Sequence, residues 1–217
     1  MEFSEVVRSR RMVRNYDPER PVPEEVLARV LDHAVRAPSA GFSQGWDFVV
    51  LRTEAERDTF WEATTDPARE PDNWLRGIRR APCLIVCCSS PDAYLDRYAE
   101  PDKGWADRDA ARWPVPYWDV DTGMAALLML LTAVDEELGG LFFGVPVERL
   151  DAVRAALQIP PDRNLVGVVS LGYPAPDRKS PSLKRGRREV SQVAHAGTFG
   201  TPLHLDRAAY SPAAPTG

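Results

Sequence analysis

Apolar residues recur at helical spacing in "PVPEEVLARVLDHAVRAP" (residues 21–38), where Val26, Leu27, Val30, Leu31, Ala34 and Val35 share one face. Pro23 suits a first helical position, Glu24 and Glu25 suit the electropositive N-terminal end, and Pro38 stops the run. Upstream, Phe3, Val6 and Val7 predict a short amphipathic helix. "WDFVVLR" (46–52) is predicted to be a buried strand, followed by a helix in "EAERDTFWEA" that Thr53 and Glu56 open as a capping box. "CLIVCC" (83–88) and "NLVGVVSLGYP" (164–174) read as two further strands, and residues 99–118 as a long loop rich in Pro and Trp. Asp121 is expected to cap a helix running to residue 138, apolar on nearly every side, which suits a domain centre or a subunit interface. "GGLFFG" (139–144) leads to a helix from about residue 146 to residue 157.

Helices and strands alternate without a βαβ rhythm, which predicts an α+β fold and not a doubly wound sheet. No GxGxxG follows a strand, so a Rossmann dinucleotide site is not expected. One domain is expected over residues 1–200, with a loosely ordered tail at 201–217. The 217 residues are 44% hydrophobic and 27% charged, an ordinary globular composition. No apolar run approaches the roughly 20 residues of a membrane span, and "MEFSEVVRSRR" has no secretory apolar core. A cytoplasmic protein without membrane contact is therefore expected. Cys83, Cys87 and Cys88 crowd one strand, and with only His33, His195 and His204 elsewhere they read as buried thiols, not as metal ligands.

The net charge is -5, yet "RSRRMVRNY" (8–16) carries Arg8, Arg10, Arg11 and Arg14. A solvated helix end would account for them, but nucleic-acid binding is disfavoured in an acidic chain. Arginine forks also match phosphate oxygens in pairs, so a small multiply charged anion is a third reading. "APSAGFSQGWDFVV" (37–50) is dense in small and polar residues that admit a flat ligand, and Gln44 offers a donor and an acceptor to a ring edge. A second basic cluster, "KRGRR", contains Lys184, Arg185, Arg187 and Arg188. Two such clusters come together only around an anion.

These segments, in this order, resemble the nitroreductase family of FMN-dependent oxidoreductases. The family opens on Arg-Arg-Ser-x-Arg, has Ala-Pro-Ser-x-x-Asn-x-Gln-Pro-Trp before a strand, and ends on Leu-Gly-Tyr-Pro and an arginine-rich stretch. "SLGYPAP" and "KRGRREV" are similar to that ending. The resemblance covers roughly residues 3–195, weakly over 60–118. It implies an antiparallel-rich central sheet flanked by helices, in an interlocked homodimer that builds flavin sites at its interface. It implies that Arg10 and Arg11 grip the FMN phosphate and its approach, with Met12 beside them. Arg14 would lie near N1 and O2 of the flavin ring, where reduction gathers negative charge. Pro38, Ser39, Ala40 and Gln44 would line the ring and ribityl chain, Phe143 and Gly144 would approach the ring, and Arg185 and Arg187 would return to the phosphate. Met12, Phe42 and Gly45 stand where the family has Ser, Asn and Pro.

The function so implied is ping-pong transfer of hydride from NADH or NADPH, through FMN, to a nitroaromatic, quinone or similar flat acceptor. It requires no catalytic side chain and no metal. Dehalogenation or flavin destruction by a family relative, and non-enzymatic flavin sequestration, are the alternatives. Trp105, Trp113, Tyr117 and Trp118 are read either as buried aromatics or as a lid over the acceptor.

Overall fold

The computed structural model describes residues 1–205 except 67, 69, 178 and 179. Residues 206–217, most of the expected tail, lie outside the described set. The chain divides into two compact units, Met1–Asp177 and Arg178–Gly217.

In the first unit, helix α1 (Phe3–Ser9) precedes α2 (Glu24–Ala34), strand β1 (Trp46–Leu51) and α3 (Glu54–Thr64). Then come α4 (Asn73–Ile78), β2 (Cys83–Ser89), α5 (Pro91–Ala99), α6 (Tyr117–Asp135), β3 (Gly139–Phe143), α7 (Leu150–Leu157) and β4 (Asn164–Gly172). The four strands form one antiparallel sheet in the order β1-β2-β4-β3, so the fold is α+β.

Each residue of β2 is buried because its two faces serve two cores. Cys83, Ile85 and Cys87 pack with Val169 and Leu171 under Val30 of α2 and Ala125, Met129 and Ala133 of α6. Leu84, Val86 and Cys88 face the opposite way, toward Phe60 and Trp61 of α3, Ile78 of α4 and Val153 of α7. Covering both faces makes the strand a continuous apolar run instead of an alternating one. Burial pushes the Cys83 and Cys87 thiols up to about 12 and that of Cys88 to about 11, so all three stay protonated and serve as packing. The expected capping box is present at α3, where Thr53 and Glu56 bond each other's backbone N–H.

Several boundaries differ from expectation. Helix α6 starts at Tyr117 and ends at Asp135, so Asp121 lies inside it and caps nothing. The Asp121 carboxylate instead accepts from Ala40 N and the Tyr94 hydroxyl, long-range partners that local sequence does not announce. With 19 residues and a mean hydropathy of 1.2, α6 also matches a membrane span in length and composition, correcting the expectation that no run does. Its buried face is the roof of the first core. Pro23 sits one place before α2 and not at its first position. The helix expected from residue 146 is a 3-10 turn, Val147–Arg149, running into α7. "GGLFF" is a strand, and α4 and α5 are additional short helices. A Cβ on Gly139 would lie 2.7 Å from Val13 Cγ2, so glycine is what lets the chain at residues 12 and 13 close on β3.

The second unit, described by itself, has 3-10 turns at Pro181–Arg185 and Val190–Gln192. His195 pairs with Pro202 and lies 4.4 Å, centroid to centroid, from Phe199.

Candidate active site

Helix α1 ends as Arg10 turns extended (φ -57°, ψ 121°), and its amide closes on Val6 O. The chain then runs parallel to β3: Met12 bridges Gly140, and Val13 N donates to Gly140 O at 3.0 Å. This lays the arginines along the sheet edge. Arg10 is half-buried, and its Nη1 is fully buried without a hydrogen-bond partner among the described residues. A buried, unpaired guanidinium nitrogen is costly, and an anionic oxygen is the group that satisfies it. The residues thus fit a bound phosphate. Arg11 is exposed. Arg14 donates from Nη1 to Met12 O at 3.1 Å and from its amide to Asp177 Oδ2 at 3.0 Å. On its other side, α4 reaches Arg14 O only because Gly77 has no Cβ, which would stand 2.1 Å away.

The second group, residues 38–44, is built around the 3-10 turn Ala40–Phe42. Ser39 Oγ accepts from Gln44 N at 3.0 Å, and Ser43 Oγ donates to Ala40 O at 2.7 Å. Ala40 N donates to Asp121 Oδ2 at 2.8 Å, and Arg97 Nε to Gly41 O at 2.9 Å. Tyr94 donates its hydroxyl to the same Asp121 oxygen at 2.8 Å. Burial first, and that carboxylate next, raise the Tyr94 pKa, so its hydroxyl remains a donor. Pro38 and Gln44 are exposed; Ser39 and Ala40 are half-buried.

One chain does not bring these two groups together. Residues 38–44 lead into β1 at one edge of the sheet, whereas residues 10–14 lie along β3 at the other. Three strand spacings of roughly 4.8 Å separate those edges. Along α6, Asp121 near the start holds Ala40, while Gly140, the bridge partner of Met12, faces Leu130 in the second half of the helix. At about 1.5 Å per residue, α6 is nearly 30 Å long.

Phe143 and Gly144 stand at the far end of β3. The Phe143 ring stacks on Trp61 (5.9 Å, 7° between planes) and meets Trp74 edge-on (5.9 Å, 88°). With Gly144 these rings line a cavity of about 450 Å³ between α3, α4 and the loop after β3. Trp74 and Gly77 are one turn apart on α4, so the cavity and Arg14 flank the same short helix. Arg185 and Arg187 belong to the second unit and are exposed there.

Sequence reasoning missed Asp121, Tyr94 and Arg97 as the residues that shape the 38–44 turn. The one available signal was Asp121 itself, a carboxylate at the start of the apolar run, and it was read as a cap. The aromatic residues of the long loop cluster on Trp113, whose ring meets Tyr98 at 4.6 Å, Trp105 at 5.6 Å and Tyr94 at 5.9 Å. Ion pairs Arg97–Asp102 (2.7 Å), Arg108–Asp96 (2.8 Å) and Arg112–Asp107 (2.6 Å) accompany it. Trp113→Ala is expected to cost about 2–4 kcal/mol through lost packing, lowering Tm by on the order of 10 °C. A melting curve checks this: an unchanged Tm together with a raised KM for aromatic acceptors would favour the lid.

Residues 7–173 match the model of the nitroreductase family. A protein of Methanothermobacter thermautotrophicus described as an NADH dehydrogenase/NAD(P)H nitroreductase is 31% identical over 179 residues, 81% of this chain and 78% of that protein. An NADH dehydrogenase of Thermus thermophilus is 31% identical over 185 residues, 76% of this chain and 83% of its own. The fold matches a nitroreductase from Desulfovibrio desulfuricans solved in complex with FMN, with a TM-score of 0.65 at 20% identity over 92% of this chain and 98% of that one. A family match over most of the length, joined to relatives of this identity, establishes that the chain belongs to the nitroreductase family.

Proposed function

We propose that the protein is an FMN-dependent NAD(P)H oxidoreductase, acting as a homodimer on nitroaromatic, quinone or similar flat acceptors that alternate with the nicotinamide in one pocket. The observation that carries this is the unpaired, buried Nη1 of Arg10 on a segment docked along β3. Descriptions of relatives as NADH dehydrogenase and NAD(P)H nitroreductase support the electron donor. An FMN complex of the same fold supports the cofactor.

FMN, when bound, supplies the two-electron chemistry. The chain's residues bind and orient. Arg10 and Arg11 hold the phosphate, Met12 lies against the ligand as an apolar neighbour, and Arg14 carries positive charge toward the pyrimidine edge of the ring. Phe143 and Gly144 border the ring from the end of β3. The assignment of Arg185 and Arg187 to the phosphate rests on their motif alone.

Pro38, Ser39, Ala40 and Gln44 come from the second copy. Tyr117, Val120, Met124 and Leu127 form an exposed stripe down α6, at 37–48% exposure. A two-fold-related α6 laid antiparallel on that stripe buries it. In the homodimer proposed, the 38–44 turn of one copy completes the site begun by residues 10–14 of the other. No side chain is required as an acid or base.

The test is composition and turnover of the purified protein. About one FMN per chain is expected, with NADH or NADPH turned over repeatedly under anaerobic conditions only when a nitro or quinone acceptor is present. A protein that holds FMN and oxidises neither nicotinamide with any acceptor is a sequestering protein, and the proposal fails.

A further inference from the structure

Phe42 bonds its amide within its turn, but its ring gains little packing from its own chain. Its side chain is 75% exposed and its φ is +58°, in the left-handed region that disfavours a bulky residue. Gly41 (φ +62°) and Gln44 (φ +51°) share that region, while Ser43 between them is right-handed helical (φ -68°, ψ -30°). Side-chain bonds hold the turn: Ala40 N to Asp121 Oδ2 at 2.8 Å, Ser43 Oγ to Ala40 O at 2.7 Å, Gln44 N to Ser39 Oγ at 3.0 Å, and Arg97 Nε to Gly41 O at 2.9 Å. Backbone bonds join them, from Phe42 N to Ser39 O at 2.9 Å and from Ser43 N to Ala40 O at 3.2 Å. Arg97 is itself clamped by both oxygens of Asp102, at 2.7 and 2.8 Å. Beneath the turn lies Tyr98, whose Cε2 would be 2.6 Å from a Cβ on Gly41.

These bonds, that of the Phe42 amide included, fix the backbone of the turn and leave the Phe42 ring in solvent. For the isolated chain, glycine or asparagine would relieve the backbone strain and remove an exposed aromatic surface. Strain that persists because its surroundings over-determine it is a mark of a site that uses it. A solvent-facing aromatic plane offers stacking to a flat ligand and little to a compact one.

We infer that Phe42 is a specificity-determining residue, an aromatic wall that the second copy sets beside the flavin for a flat acceptor ring to lie against. This rests on the composite flavin site proposed above, since Phe42 and residues 10–14 of one chain lie at opposite sheet edges. The wall favours quinones and nitroaromatics over acceptors without a planar face.

Phe42→Gly and Phe42→Asn test it by two readouts. In the FMN-free protein each variant is expected to raise Tm by about 1–3 °C, because the strain goes and no packing is lost. In the FMN-loaded protein the ratio of kcat/KM for menadione to kcat/KM for ferricyanide, which has no planar face, is expected to fall about three- to tenfold. A lowered Tm would make Phe42 a structural residue and overturn the inference. An unchanged acceptor ratio in a protein that binds FMN and turns over would overturn it as well. FMN content and turnover of the wild type are measured first, and they bear on the reductase assignment alone.

Discussion

Replacing Arg10 by alanine is expected to weaken FMN binding ten- to a hundredfold and to leave riboflavin binding unchanged. The guanidinium sits where α1 ends and the chain turns extended, with Nη1 buried and unpaired. A charge-assisted hydrogen bond to phosphate is worth roughly 1.5–3 kcal/mol, and each 1.4 kcal/mol is about tenfold in affinity. Riboflavin has no phosphate to lose. The apo protein is expected to keep its Tm in this variant, since the deletion removes a buried donor that satisfies nothing in the free chain. Arg10→Lys is expected to recover only part of the affinity, because an ammonium is a point charge and cannot present a planar fork. Fluorescence titration with both flavins reads the result. Equal losses for FMN and riboflavin would place Arg10 away from the phosphate.

Leu127→Asp is expected to yield a folded monomer with less than about a tenth of the wild-type FMN. Leu127 is 48% exposed, and with Tyr117, Val120 and Met124 it follows a spacing of three and four that keeps one side of α6 apolar. In a lone chain an aspartate there is solvated, so the fold is untouched. In the two-fold dimer it is buried twice, and an uncompensated buried charge costs about 3–5 kcal/mol, which raises the dimer dissociation constant by at least roughly a thousandfold. Leu128 is the wrong probe. It packs against the core shared by α2, α6 and the sheet, and a charge there would unfold the chain whatever its assembly state. Light scattering with flavin absorbance separates the outcomes. A persistent dimer would move the interface elsewhere, and a monomer retaining full FMN would remove the need for a composite site.

The elements read correctly from sequence are those whose cause is local. α2 has its apolar face at helical spacing, α3 has a capping box, and β2 and β4 are apolar runs of strand length. β1 is a strand as expected, but at the sheet edge it is mostly half-buried and not buried. Where the cause is a distant residue, the local reading failed. Asp121 looks like a cap until Ala40 and Tyr94 are seen bonded to it. "GGLFF" is a poor strand by propensity, and its glycines make sense only against Val13 and Leu130, whose side chains would meet any added Cβ. Trp113 could not be assigned to lid or core by composition, because its role depends on which rings surround it.

For the candidate site, sequence by itself determined the chemical inventory. The arginine cluster, the small-residue turn and the family they belong to are properties of residue type, order and short spacing. Only the tertiary structure decided where those parts lie. Strand order places residues 10–14 and 38–44 at opposite edges of the sheet. Strand order depends on which apolar faces find each other across the whole chain, and hydrophobic periodicity carries no record of that choice. The same holds for Arg10 and Phe42, since a buried unpaired nitrogen and an exposed ring at φ +58° exist only once the surrounding chain has closed around them.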